Sequence, residues 1–197
     1  MKYSIQQIEK TILSLGYKWF SQGDYNLNIV GVRNSTTNHQ ITNLFDDILT
    51  LSLKKGDVWY YFEYPITTEP GLYYTQNLLD KDGVAILVPG QHKGCWQVGL
   101  HHGKYEALVQ RKPVKVYRDK DKDKVFDLDL QTVEEGIFGI NIHKSGIDSK
   151  QIDKWSAGCQ VFKIQSDFDH FMNMCKYAQK LWGNSFTYTL IESKDLK

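Results

Sequence analysis

Ile5, Ile8, Ile12 and Leu15 recur at steps of three and four with Gln6, Gln7, Glu9 and Lys10 between them, which puts one apolar stripe on a helix ended by Gly16. A second stripe of the same period, Phe168, Phe171, Met172, Cys175 and Leu181, predicts a buried helix face near the C-terminus, with Ser166 as N-cap and Gly183 as stop. Between the two helices the pattern has the period of strands. Residues 26–32 alternate and are β-branched, and a polar turn follows through residues 34–43. Aromatic and β-branched residues dominate 58–66, before a turn at 67–71. Residues 83–116 hold three short apolar runs separated by Pro89-Gly90, Lys93-Gly94 and His102-Gly103-Lys104, the punctuation of a β-meander or a small barrel-like sheet. Residues 136–143 read as one strand, with Phe138, Ile140 and Ile142 on one face and Gly139, Asn141 and His143 on the other. A loop runs on to about Lys154, and residues 186–191 form a last strand. There is no internal repeat, low-complexity segment or linker. The expected fold is mostly β (α+β), a single β-sandwich or barrel domain with peripheral N-terminal and C-terminal helices.

Composition narrows the function without naming one. The chain has 197 residues, 41% hydrophobic and 13% aromatic with 4 Pro, which suits one folded domain with a large core. Its 24 Lys+Arg against 23 Asp+Glu give a net charge of +1, so no electrostatic argument nominates nucleic acid or an anionic membrane. The longest apolar run, residues 84–88, is far short of the roughly 18 residues of a membrane span. Gln, Glu and Lys interrupt the first ten residues, so no signal peptide is expected and the chain is expected to be made in the cytoplasm. Cys95, Cys159 and Cys175 are an odd set without a C-x-x-C pair, so neither a disulfide framework nor a zinc site is expected, and no cofactor. The alternating charges of residues 119–124 suit a hairpin tip between 114–117 and 125–130. A calcium loop is the sharper reading there, but its sixth position is Lys124 and its twelfth Leu130.

Two segments carry candidate chemistry. The small, polar face of Gly139, Asn141 and His143 could form a cleft wall or simply face solvent. In Ser156-Ala157-Gly158-Cys159, small residues let a substrate approach the sulfur, and Gly158 permits a tight backbone whose N–H groups could face an oxyanion. A thiol attacking a carbonyl needs a base, and His143 lies 16 residues upstream, far enough for the chain to return to the same end of a sheet. These residues alone leave Cys159 equally readable as a buried structural cysteine. Trp155 and Tyr105 are candidate rim aromatics. Of the adjacent His101 and His102, strand alternation lets only one face a cleft. Cys95, without small neighbours on both sides, and Cys175, on the apolar helix face, read as structural.

At these residues the chain resembles the murein L,D-transpeptidase (YkuD-like) catalytic domain. That family carries a histidine and, after a loop, Ser/Thr-His-Gly-Cys; here Ile142-His143-Lys144 and Ser156-Ala157-Gly158-Cys159 match it, with Asp167 and a helix following. Residues 65–73 are similar to the family's Thr-Pro-x-Gly-x-Phe turn, and the resemblance covers about 55–165. Ala157 stands in place of the family's histidine, the 13-residue spacing from His143 to Ser156 is slightly short, and Gln160-Val161 stands where an aliphatic residue and Arg or Asn are usual. The resemblance implies a catalytic domain over 51–197, with 1–50 as a helix-and-strand extension packed on it. It implies Cys159 as nucleophile on a peptidoglycan stem peptide and His143 as base, oriented by the Lys144 carbonyl. Gly158 and Cys159 N–H groups would form the oxyanion site, with Ser156 in the same motif. Asn141, Gly139, Trp155, Ala157, His102 and Tyr105 would bind substrate. Delivery to the cell wall by a phage, lysis or secretion system would fit the missing signal. The competing expectations are a non-catalytic peptide- or glycan-binding module that keeps the fold, and a cysteine peptidase or acyltransferase with a cytoplasmic substrate.

Overall fold

The computed structural model describes residues 2–147 and 149–196. Its strands are β1 (Asn28–Arg33), β2 (Asp47–Lys55), β3 (Val58–Thr67), β4 (Val84–Leu87), β5 (Gly90–His101), β6 (Tyr105–Gln110), β7 (Val114–Asp119), β8 (Glu134–Gly136), β9 (Ile142–Lys144), β10 (Gln160–Phe162) and β11 (Phe186–Glu192). The helices are α1 (Ile5–Ser14), α2 (Leu72–Gln76) and α3 (Gln165–Trp182). The fold is mostly β, of the α+β class, and of the sandwich and barrel alternatives it is a barrel. Eight strands close in the order β1-β11-β5-β6-β9-β10-β3-β2, and β4-β7-β8 form a second small sheet. The β1–β11 and β9–β10 pairs are parallel, and the other pairs are antiparallel.

Leu49, Leu51, Ile66, Trp96, Leu108, Ile142, Phe162 and Tyr188 fill the barrel, and α3 adds Phe168, Phe171, Met172, Cys175 and Ala178 to the same core. Helix α1 opens with a capping box: the Gln7 N–H donates to Ser4 Oγ at 3.2 Å and the Ser4 N–H to Gln7 Oε1 at 3.0 Å. Its Ile8 and Ile12 pack on Val30, Val32 and Ile191 outside the barrel, so β1 is buried on both faces. Full burial of each isoleucine contributes about 1.5–3 kcal/mol. Leu15 leaves the expected stripe and is exposed, with Thr11 buried on that face instead.

Several expectations need correction. Strand β2 is not among the expected elements, although Leu49-Thr50-Leu51-Ser52-Leu53 alternates cleanly; its three leucines are core. With β1 it makes the chain before residue 55 part of the barrel wall instead of an extension laid on a finished body. Within 83–116 only β5 and β6 pair in the barrel, while β4 and β7 join the small sheet. Residues 119–124 are not a hairpin tip. Phe126 is buried with Val84, Ile86 and Tyr117, which draws the chain across the small sheet so that Val125 bridges Gln40 and the edge of β7 pairs with β8. In that loop the carboxylates of Asp119, Asp121 and Asp127 lie within 4.8 Å of one another.

Residues 136–143 are not one strand. Gln110 Oε1 accepts the Phe138 and Ile140 N–H groups at 3.1 and 3.0 Å and Gly139 turns at φ +73°, so β8 and β9 end up in different sheets. Ser166 is not the N-cap of α3, which starts at Gln165 after Ile164 without a side-chain cap; Gly183, at φ 85°, does end it. Among the described residues no helix is long and apolar enough to cross a membrane.

Candidate active site

Parallel pairing sets Gln160 opposite Ile142 and Val161 opposite His143, so the residues leading into β9 and β10 meet at one end of the barrel. Cys159 comes just before β10 and meets the backbone of the broken segment: the Asn141 N–H donates to its Sγ at 3.4 Å, and the thiol donates to Gly139 O at 3.3 Å. The turn carrying it is pinned from both sides. Ser156 Oγ donates to Cys159 O at 2.9 Å and accepts the Gly158 N–H at 3.1 Å, while the Gly71 N–H donates to Ser156 O at 2.9 Å. From inside the barrel, Tyr188 Oη donates to Gln160 Oε1 at 2.8 Å and Gln160 Nε2 to Gly158 O at 3.3 Å. Gly158 has φ +129°, and a Cβ there would stand 2.2 Å from Ala85 O, so only glycine fits.

His143 is buried, with Nδ1 2.9 Å from Lys144 O. A carbonyl only accepts, so Nδ1 carries the proton and Nε2 has the lone pair. Tyr105 Oη lies 3.4 Å from that nitrogen and donates to the same carbonyl at 3.4 Å. His101 stacks on His143, ring centroids 4.1 Å apart and 19° from parallel.

These groups open on a cleft of about 680 Å³. Gly139, Asn141, His143, Lys144, Trp155, Ala157, Cys159, His102 and Tyr105 all line it. Ser156 and Gly158 do not: both are buried, and both act through the backbone of the turn. The Gly158 N–H is committed to Ser156 Oγ and is therefore not an oxyanion donor, whereas among the described residues no acceptor takes the Cys159 N–H. Cys95 and Cys175 are buried away from the cleft.

No family model, curated protein or solved structure matches the chain.

Burial pushes the Cys159 thiol up to about 11, against the pull of the Asn141 N–H. Burial, then the neighbouring His101, push His143 down to about 3, with the Lys144 carbonyl opposing. Both groups are neutral at pH 7, and among the described residues no hydrogen bond joins the sulfur to an imidazole. A neutral base and a thiol in one cleft suit concerted proton removal as the sulfur bonds to carbon, and do not hold a standing thiolate.

His101 was missed as a site residue because it was paired with His102 under the alternation rule. That rule stops at the end of β5: His102 lies in the following turn at φ 49°, so both imidazoles line the cleft. The structure also brings in Lys104, Lys154, Tyr74 and Phe138, which no local motif marked.

Proposed function

We propose that the protein is a cysteine-dependent acyl-transfer enzyme of the L,D-transpeptidase type, acting on peptidoglycan stem peptides through a thioester at Cys159. The observation that carries this reading is the sharing of one cleft by the Cys159 thiol and a His143 ring whose Nδ1–H is held by Lys144 O, leaving Nε2 as a base. In the first step Sγ leaves its bond to Gly139 O and attacks the carbonyl carbon as His143 Nε2 takes the thiol proton. The carbonyl π pair moves onto oxygen, and the Cys159 N–H is one donor for it. When the oxyanion collapses the C–N bond breaks, and the imidazolium returns the proton to the departing amine. An amine or water then attacks the thioester, completing a transpeptidation or a hydrolysis.

One observation favours a second reading, a peptide- or glycan-binding module with no reaction: the resting thiol is pushed up and donates to a carbonyl instead of an imidazole. The test is intact-mass labelling by limiting iodoacetamide and by a carbapenem from pH 5 to 9, in wild type, Cys159→Ala and His143→Ala. The enzyme reading expects labelling selective for Cys159, slowed by His143→Ala, together with a carbapenem adduct. Alkylation of Cys159 no faster than that of Cys95 or Cys175, with no adduct, would leave the binding module.

A further inference from the structure

We infer that His101 is a catalytic residue, whose Nε2–H donates a hydrogen bond to the oxyanion formed as Cys159 is acylated. The inference rests on the acyl-transfer reading and gives a role to a group that the resemblance does not include. An oxyanion site uses converging donors, and the Gly158 N–H is committed to Ser156 Oγ at 3.1 Å, so the motif supplies one fewer backbone donor than it suggests.

The hydrogen bonds around Asn141 fix the tautomer of His101. Asn141 Oδ1 accepts the Gln110 N–H at 2.9 Å, so the other amide atom, Nδ2, is the one 3.0 Å from His101 Nδ1. An amide nitrogen only donates, so Nδ1 accepts and the ring's proton sits on Nε2. His143 is the opposite tautomer, its proton on Nδ1 against Lys144 O. Two stacked imidazoles thus turn unlike edges outward, a lone pair on His143 and an N–H on His101. Neither Nε2 is bonded within the described residues and neither is a buried orphan, so both open on the cleft that holds Cys159.

The ring stays neutral in this role. Burial, then His102 and Lys104, push His101 down to about 4. A neutral imidazole is a competent donor to a developing oxyanion and moves no proton in doing so. As the Sγ–C bond forms, the carbonyl π pair moves to oxygen and the Nε2–H bond shortens onto it. When the C–N bond breaks, the pair returns and the bond relaxes. His102 is not equivalent, since it meets His101 edge-on at 4.2 Å and among the described residues no hydrogen bond sets its tautomer.

The test separates oxyanion stabilisation from thiol activation by comparing two reactions at Cys159. Acylation by p-nitrophenyl acetate passes through an oxyanion; alkylation by iodoacetamide does not. His101→Phe should slow acylation by about 10²-fold or more relative to alkylation, which carries whatever the lost ring does to His143. His101→Gln, which keeps an N–H donor, should recover part of the loss, and His143→Ala should slow both reactions. Equal acylation in wild type and His101→Phe would overturn the inference while leaving the acyl-transfer reading standing. A wild type that is alkylated but never acylated would remove both. Nitrogen-15 NMR of the wild type at pH 7 tests the premise without a variant: His101 should be the Nε2–H form and His143 the Nδ1–H form, and an Nδ1–H form of His101 would overturn the inference.

Discussion

Two clusters of buried polar groups stand in this barrel, and they treat their polar atoms differently. At the end of β1, Arg33 donates through Nε to Thr68 Oγ1 at 3.0 Å and through Nη2 to Thr68 O and Leu87 O at 3.1 and 3.0 Å, and it faces Glu69 at 3.4 Å. Asp47 accepts the Asn34 and Thr68 N–H groups at 2.7 Å each and Thr68 Oγ1 at 2.9 Å. The cluster is built around the Arg33 cation, and of its named groups only Arg33 Nη1 is an orphan. It ties β1, β2, the 67–71 turn and β4 together, and through Gly71 it reaches the turn that carries Cys159. In the cleft, by contrast, the buried imidazoles are neutral, and each uses Nδ1 to fix its orientation while Nε2 stays open. Closed polar networks hold strands in place; half-closed ones leave an oriented atom for a substrate.

If that contrast holds, substitutions in the two clusters should separate activity from stability. The largest expected effect is in the cleft, where His143→Ala should slow acylation of Cys159 by about 10²–10⁴-fold, read by intact mass. In the Arg33 cluster, Arg33→Leu leaves Asp47 and Glu69 buried without their cation and should cost about 3–5 kcal/mol in urea unfolding. The labelling rate of the molecules still folded should not change. A slowed rate in Arg33→Leu would show that the cluster sets the site's geometry as well as its stability.

Gln160→Leu probes the junction between scaffold and site. Tyr188 Oη and Gly158 O would each lose a partner, at about 1–3 kcal/mol in the same unfolding assay. A further loss of acylation rate would show that the inner hydrogen bonds also position the turn that carries Cys159.

The pH dependence of stability should run in opposite senses in the two clusters. His101 and His143 sit at about 4 and about 3 when folded, below the ordinary 6.5, so the unfolded chain binds more protons. Their contribution is present above pH 6.5 and is lost as the pH falls through about 4 to about 3. Burial holds Asp47 and Glu69 above their ordinary values, so their contribution is present at low pH and declines as the pH rises. Thermal melts should show a smaller acid-side loss in His101→Phe and a smaller alkaline-side loss in Glu69→Gln. These should be the smallest of the predicted effects.

Local pattern carried the elements whose neighbours matter least. The i, i+3, i+4 stripes of α1 and α3, the alternation of residues 26–32 and the β-branched and aromatic composition of 58–66 and 186–191 are written in consecutive residues. Gly139, Asn141, His143 and Cys159 were nameable as candidates for the same reason, since small and nucleophilic residue types show in the chain itself. The remaining features depend on residues far apart in sequence. The Gln110 side chain breaks the 136–143 strand, Phe126 pulls the acidic loop across the small sheet, and Ser156 occupies the Gly158 N–H that the motif suggested was free. Likewise the tautomer of His101 follows from Gln110 acting through Asn141, and the neutrality of both imidazoles from burial that exists only once the barrel closes. The sequence by itself determined the class of fold and the candidate thiol and base. Tertiary structure alone decided which polar atoms are engaged and which are left open, because a hydrogen-bond partner and a local dielectric are properties of neighbours in space.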